Sequence, residues 1–178
     1  MDHSQHAGLP AGAASDQSLY HLEASWQNQQ AQTVSLAAAQ GKVQLVATVY
    51  ASCENACPRI IADMKAIEDK LAASSGAQLQ LTLVSIDPEV DTPARLQALA
   101  DKIQLSPRWQ LLTGDPDDVL TLAALLGVQY KKISETDYAH SNIISVLNPA
   151  GEIVHQQQGL GVDPAQTVAA VQAALSAS

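Results

Sequence analysis

The feature that most constrains the fold is a pair of cysteines placed between a buried strand and a helix. Residues 42–50 are mostly apolar and rich in Val, which is typical of a strand buried on both faces of a sheet. Cys53 and Cys57 follow, and Pro58 suits the first position of a helix. The sequence therefore predicts both cysteines at the carboxyl end of a strand, where ligand sites gather in open α/β sheets.

The rest of the chain continues this alternation of strands and helices. Further strands are predicted at 78–86, 144–148 and 152–157, and a turn at residues 149–151 joins the last two as a hairpin. Four prolines mark helix starts, three of them after an Asp or Thr that can cap the helix: Pro58, Pro93, Pro116 and Pro164. With a short strand before the third helix and a loop after it, this order predicts an α/β fold whose mixed central sheet is flanked by helices.

Length and composition fit one folded domain. The chain has 178 residues, of which 47% are hydrophobic and 15% charged, enough for a single core. We predict a flexible tail at 1–17 and one domain at 18–178, which begins with a β-hairpin made from 18–26 and 32–36. The net charge is −9 and no basic cluster exists, so nucleic acid is not an expected partner.

Targeting signals are not evident at the start of the chain. No apolar run is long enough to cross a bilayer, and the first 18 residues lack the basic start and apolar stretch of a signal peptide. Two interpretations follow: a cytoplasmic protein, or an exported one whose leader or anchor precedes this numbering.

Cys53 and Cys57 leave metal binding and redox chemistry both open. A structural disulfide is the poorest interpretation, because closing so short a loop removes little chain entropy. The three-residue spacer is longer than that of the C-x-x-C redox motif, and it lets two thiolates converge with room for an ion. Thiolates select Cu(I), Zn or iron–sulfur clusters, and two sulfurs are too few for a closed zinc site, so a third ligand is needed.

His140 is the best candidate for that third ligand. It lies in a polar turn that leads into the apolar strand beginning near Ile143, and in thioredoxin-like folds this loop lies beside the cysteine turn. The other histidines are in the tail, in the predicted N-terminal hairpin or in a late strand: His3, His6, His21 and His155. We predict from strand alternation that His155 faces solvent.

Four stretches of the chain resemble the Sco/SenC family of copper-binding, thioredoxin-fold proteins involved in cytochrome oxidase assembly. They are VYASCENACPRI, LVSIDPEVDTPARL, WQLLTGDPDDV and YAHSNIISVLNPAGEI, which together span most of the domain. The resemblance implies a thioredoxin-like fold with an added N-terminal hairpin. It also implies one copper ion, Cu(I) or Cu(II), bound by Cys53, Cys57 and His140.

The resemblance further implies a metallochaperone that supports a cytochrome oxidase copper centre, on the periplasmic or export side of a membrane. Its partners would be a cuproprotein target, a thiol reductant or another copper chaperone, and we expect a monomer. Two alternatives stay open: a copper or redox sensor, and a thiol–disulfide oxidoreductase in which Cys53 attacks and Cys57 resolves. Enzyme status is therefore open, with a non-enzymatic role favoured.

Several other residues have expected roles. We assign Asp87 to Glu89 to a turn, Asp91 and Thr92 to the start and cap of a helix, and Trp109 and Tyr138 to core or rim packing. If Met1 carries a free amine, His3 stands third from it and can complete a square-planar Cu(II) site, with His6 as a further donor. This tail site, auxiliary to the cysteine site, is a hypothesis; the alternative is a flexible tail that binds no metal and whose true terminus differs.

Overall fold

The computed structural model describes residues 17–52, 56–75, 78–134 and 138–176. The strands are β1 (Trp26–Gln27), β2 (Thr33–Val34), β3 (Val43–Val49), β4 (Leu79–Ser85), β5 (Trp109–Gly114), β6 (Tyr130–Lys132), β7 (Tyr138–His140), β8 (Ile143–Leu147) and β9 (Ile153–Gln158). The helices are α1 (Ala56–Ser75), α2 (Pro93–Lys102), α3 (Pro116–Leu126) and α4 (Ala165–Ser176).

Seven of these strands form one mixed sheet in the order β2–β1–β5–β4–β3–β8–β9, and β6 and β7 pair separately. The three central strands β3, β4 and β5 are parallel, so their carboxyl ends share one edge. β8 runs antiparallel to β3, with Val46 opposite Ser145, so β8 begins at that same edge. The predicted mixed sheet is thus confirmed, and its topology brings the end of β3 close to the segment that precedes β8.

Two helix starts follow their predicted caps closely. The Thr92 hydroxyl accepts a hydrogen bond from Arg95 N–H, and the Asp115 carboxylate accepts one from Asp117 N–H. Each satisfies a backbone donor that the first turn leaves unpaired. α3 ends at Gly127, whose φ of 71° is the left-handed conformation that glycine adopts without strain.

The segments before β3 and before β8 differ from the prediction. The N-terminal hairpin exists, but its strands are two residues each and a 3₁₀ turn, Leu19–His21, occupies part of the predicted first strand. The predicted loop after α3 contains the β6–β7 hairpin, so His140 ends a strand instead of lying in a turn. These three-residue strands are too short to display the alternation that identifies a strand in sequence.

The orientation predicted for His155 is wrong. Its Nε2 lies 3.1 Å from the Thr167 hydroxyl of α4, so the ring packs under the helix. The preceding residue, Val154, is the exposed one. The prediction had the right alternation along the strand, but it placed His155 on the solvent face when His155 lies on the face that α4 covers.

The core is aliphatic because the chain has no Phe. α1 packs one face on the sheet, and its buried residues include five apolar ones at helical spacing: Cys57, Ile60, Met64, Ile67 and Leu71. Trp109 is buried at the start of β5, as predicted, and its indole N–H donates to Glu68 of α1 at 3.0 Å. The Glu68 carboxylate, itself 8% exposed, also accepts from the Ser106 hydroxyl at 2.6 Å and lies 3.7 Å from Arg108. This carboxylate therefore joins α1 to the segment that begins β5.

Glu68→Ala should lower the free energy of unfolding by about 2–4 kcal/mol, because it deprives a buried indole N–H of its acceptor and removes an ion pair. Urea unfolding of both proteins measures the difference. Asp69→Ala is the matched control, since Asp69 is exposed on the same helix, and it should change stability by less than about 0.5 kcal/mol. Equal losses for the two variants would contradict a stabilising role for the Glu68 contacts.

Candidate metal centre

Two segments that follow parallel strands, together with the segment that precedes β8, meet at one edge of the sheet. Residues 50–52 follow β3, and residues 86–91 follow β4. Ile86 N–H donates to the Val49 carbonyl at 2.9 Å, which extends the β3–β4 pairing up to these loops. This edge is the position at which open α/β sheets bind ligands.

Cys57 lies in the first turn of α1 and is only 3% exposed. The unpaired N–H groups of a helix start favour negative charge, which is the thiolate form that binds metals and attacks disulfides. Three of the other predicted ligands, Cys53, His3 and His6, lie outside the described residues.

His140 presents one ring nitrogen in the state that a metal ligand requires. Its Nδ1 is 3.0 Å from the Ser141 carbonyl oxygen, which can only accept, so Nδ1 carries the proton. In the neutral ring the lone pair is therefore on Nε2, which is buried and has no hydrogen-bond partner among the described residues. Buried polar atoms are almost always paired, and a histidine held through one nitrogen commonly binds a metal through the other.

Tyr50 connects the end of β3 to the hairpin that carries His140. Its hydroxyl donates to the Tyr138 carbonyl at 3.3 Å and accepts from Tyr138 N–H at 3.1 Å. Its ring also packs edge-on against the His140 ring, with centroids 5.8 Å apart. Sequence reasoning missed this residue, although an aromatic residue beside the cysteine turn, in a chain with only four tyrosines, was an available signal.

Asp91 also holds the segment that follows β3, residues 50–52, through Ala51. Its Oδ2 accepts from Ala51 N–H at 2.9 Å and from the Ser85 hydroxyl at 2.8 Å, and its side chain is fully buried. Burial raises the pKa of the Asp91 carboxyl, while these two hydrogen bonds act to lower it. The residue does more than begin a helix, which was its predicted role; Thr92 is the cap.

Asp87 makes the corresponding contact with the His140 hairpin. The Tyr138 hydroxyl donates to Asp87 Oδ1 at 3.0 Å, which places Tyr138 on the rim of the site. Burial, and then this hydrogen bond to a carboxylate, raise the pKa of the Tyr138 phenol to about 12. The phenol is therefore neutral and donates at physiological pH. The predicted turn is confirmed by Val90 N–H, which donates to the Asp87 carbonyl at 3.1 Å.

An open hollow of about 510 Å³, bordered by Tyr130, Ala139 and His140, lies against the β6–β7 hairpin at this edge of the sheet. A groove of about 640 Å³ lies at the opposite edge, against the amino ends of the parallel strands at Lys42, Leu79 and Trp109. Between Asp87 and Tyr138 there is a smaller hollow of about 240 Å³. The site resembles a shallow surface centre, which suits an ion better than an organic ligand.

Within the described ranges, no three His, Cys, Asp or Glu side chains form a group that could hold a metal ion. Cys53, which was predicted to bind the ion together with Cys57 and His140, lies outside those ranges. Among the described helices, none is both long and apolar enough to cross a membrane.

Comparison with known proteins accounts for nearly the whole chain. The family model described as SCO1/SenC matches residues 14–176. The SCO1 protein homolog of Bacillus subtilis (strain 168) is 28% identical over 144 residues, which cover 79% of this chain and 74% of that protein.

Solved structures show the same fold. BsSco, a member of the Sco family of cytochrome c oxidase assembly proteins with an identified disulfide switch, is similar with a TM-score of 0.77 and 25% identity, covering 96% of this chain and 98% of that one. Arabidopsis thaliana ScoI, solved with copper bound, has a TM-score of 0.76 and 21% identity over 86% of this chain and 96% of that one. These similarities confirm the predicted thioredoxin-like fold, and the match of the family model over residues 14–176 shows that this chain belongs to the SCO1/SenC family.

Proposed function

We propose that this protein binds one copper ion through Cys53, Cys57 and His140 and delivers it to the copper centre of a cytochrome oxidase. The observation that carries the proposal is the buried Nε2 of His140, which has a free lone pair and no partner among the described residues. Membership of the SCO1/SenC family and the copper-bound Arabidopsis thaliana structure support copper as the ion.

The donor set fits copper in both oxidation states. Thiolates favour Cu(I), and an imidazole nitrogen added to two thiolates also suits Cu(II). The residues present agree with this chemistry, since Cys57 lies at a helix start and the His140 ring is oriented by the Ser141 carbonyl. Three protein ligands leave room for a fourth from a partner, so the ion can pass by stepwise ligand exchange without leaving the protein surface.

His140→Ala should weaken Cu(I) binding by more than the roughly 10- to 100-fold that loss of an outer-sphere partner of a ligand costs, because one of three ligands is removed. Competition with a Cu(I) chelator of known affinity, under anaerobic conditions, measures the effect. His155→Ala is the matched control, since His155 lies on β9 and its ring is hydrogen-bonded to Thr167 of α4, and copper affinity should not change. Wild-type affinity in His140→Ala would contradict the three-ligand site.

Thiol–disulfide exchange is the second candidate function, favoured by the burial of Cys57. A buried thiol suits the resolving position, which is reached only from within the protein. The Cys53 thiolate would attack a target disulfide, forming a mixed disulfide and releasing one target thiolate. The Cys57 thiolate would then attack the Cys53 sulfur and release the second. The target gains two electrons and becomes a dithiol that can bind copper, while the Cys53–Cys57 disulfide forms here.

The two functions separate by substitution. Cys57→Ser should trap the mixed disulfide with a disulfide-containing peptide of an oxidase copper site, because the resolving thiol is gone. Mass spectrometry of the adduct measures this outcome. His140→Ala should leave exchange unchanged while copper binding falls, and Cys53→Ser should abolish both. Failure of Cys57→Ser to accumulate the adduct would remove the oxidoreductase alternative.

The expected setting is the periplasmic or export side of a membrane, with a cuproprotein, in particular a cytochrome oxidase subunit, as the recipient. A thiol reductant would restore the cysteines, and another copper chaperone would load them. The description of BsSco as a cytochrome c oxidase assembly protein supports a cytochrome oxidase as the recipient.

A further inference from the structure

Residues 87–91 form a compact turn that two of its own carboxylates tie to the segments carrying the proposed ligands. We call these residues the acidic turn. Asp91 N–H donates to the Asp87 carbonyl at 2.8 Å, and Asp87 N–H donates to the Ser85 hydroxyl at 3.0 Å. That hydroxyl donates in turn to Asp91 Oδ2 at 2.8 Å. Both acidic residues are therefore fixed relative to each other and to the end of β4.

One carboxylate reaches the cysteine side. Asp91 Oδ2 accepts from Ala51 N–H at 2.9 Å, two residues before Cys53 in the sequence. A carboxylate is a stronger acceptor for a backbone N–H than a neutral group, particularly when both are buried. The bond therefore holds the path of the chain as it leaves β3 and approaches the cysteines.

The other carboxylate reaches the histidine side. Asp87 Oδ1 accepts from the Tyr138 hydroxyl at 3.0 Å, and Tyr138 lies on the strand that ends at His140. Tyr50 closes the third side through its two hydrogen bonds with the Tyr138 backbone. Hydrogen bonds therefore join each pair among three segments: residues 50–52, the acidic turn and the β6–β7 hairpin. Three segments joined in this way are more rigid than any two of them.

The free-energy cost of burying the Asp91 carboxylate argues that this residue does more than form a turn. The side chain is fully buried, and Oδ1 receives no hydrogen bond from the described residues; its nearest cation, Arg95, is 4.0 Å away and half exposed. Asn or Ser forms such turns without burying a charge. A buried carboxylate with an incompletely paired oxygen is therefore a costly way to form this turn.

We propose that Asp91 and Asp87 are positioning residues, and that the acidic turn sets the spacing between the cysteine loop and His140 before any metal arrives. This inference rests on the proposed function only for its effect on copper affinity. Preorganisation lowers the cost of ordering ligands when the ion binds, so the proposed site gains affinity without an additional ligand.

The first test uses amide hydrogen exchange on the metal-free protein. Each variant removes one of the two carboxylate contacts, and exchange is measured at the backbone amide on the side of the other contact. Tyr138→Phe removes only the hydroxyl that bonds Asp87, and it should speed exchange at Ala51. Asp91→Ala should speed exchange at Tyr138. We expect roughly 2- to 10-fold in each case, the worth of about one net hydrogen bond. Tyr130→Phe, the same change on the same hairpin, is the control and should leave both amides as in wild type.

The second test measures Cu(I) affinity in the same variants. Asp91→Ala should weaken binding by roughly 10- to 100-fold, as for other groups that orient metal ligands. Asp91→Asn keeps an acceptor oxygen for Ala51 N–H and should restore most of the affinity. The Asp91→Ala, Tyr138→Phe double variant should lose less than the product of the single losses, because either change alone already breaks the shared link.

The outcomes distinguish the two proposals. The positioning role would be overturned if exchange changed only on the side of the substituted contact. It would also be overturned if the affinity losses of the two single variants multiplied in the double variant. A wild-type protein that binds no copper would refute the proposed function. The exchange experiment would still decide whether the contacts at Ala51 and at Tyr138 are coupled. If Asp91→Ala does not fold, Ser85→Ala removes the other donor to Oδ2 and should shift exchange at Tyr138 in the same direction.

Discussion

The hydrogen bond between Ala51 N–H and the buried Asp91 carboxylate is the constraint on which the candidate centre depends. It is made where β3 has ended and α1 has not begun, so no sheet or helix bonding is available to hold the chain there. A backbone donor in that position needs a side-chain acceptor, and Asp91 supplies it from the neighbouring strand's loop. The chain that leads toward the cysteines is therefore held, at Ala51, by a residue that is distant in sequence.

The histidine side of the centre follows a different principle. The Ser141 carbonyl selects the tautomer of His140, and burial keeps water away from Nε2. A nitrogen held in this way is costly in the metal-free protein and becomes paired when an ion binds. The same cost opposes loss of a bound ion, so in the proposed delivery role the ligands of the partner must compensate for it.

Sequence reasoning succeeded where a pattern was long or chemically distinctive. The apolar runs at β3 and β4 and the prolines of α2 and α3 identified elements within one or two residues of their observed bounds. It failed for the β6–β7 hairpin, because three-residue strands show no period, and for His155, because the face covered by α4 depends on packing. The acidic turn was predicted as a turn. Its carboxylates also accept hydrogen bonds from segments about 40 and 50 residues away, which local sequence patterns do not indicate.

What the sequence determined by itself was the inventory: two cysteines at a strand end, a helix start beside them, one histidine ahead of the final strand pair, and the family motifs that contain them. These are local features, and hydrophobic period, proline and capping residues act over a few positions. Only the tertiary structure decided that Tyr50, Asp87, Asp91 and Tyr138 join the ligand-bearing segments, and that Nε2 of His140 is the nitrogen left open. The physical reason is that hydrogen bonds between loops depend on strand order and register, which bring distant residues to one edge of the sheet.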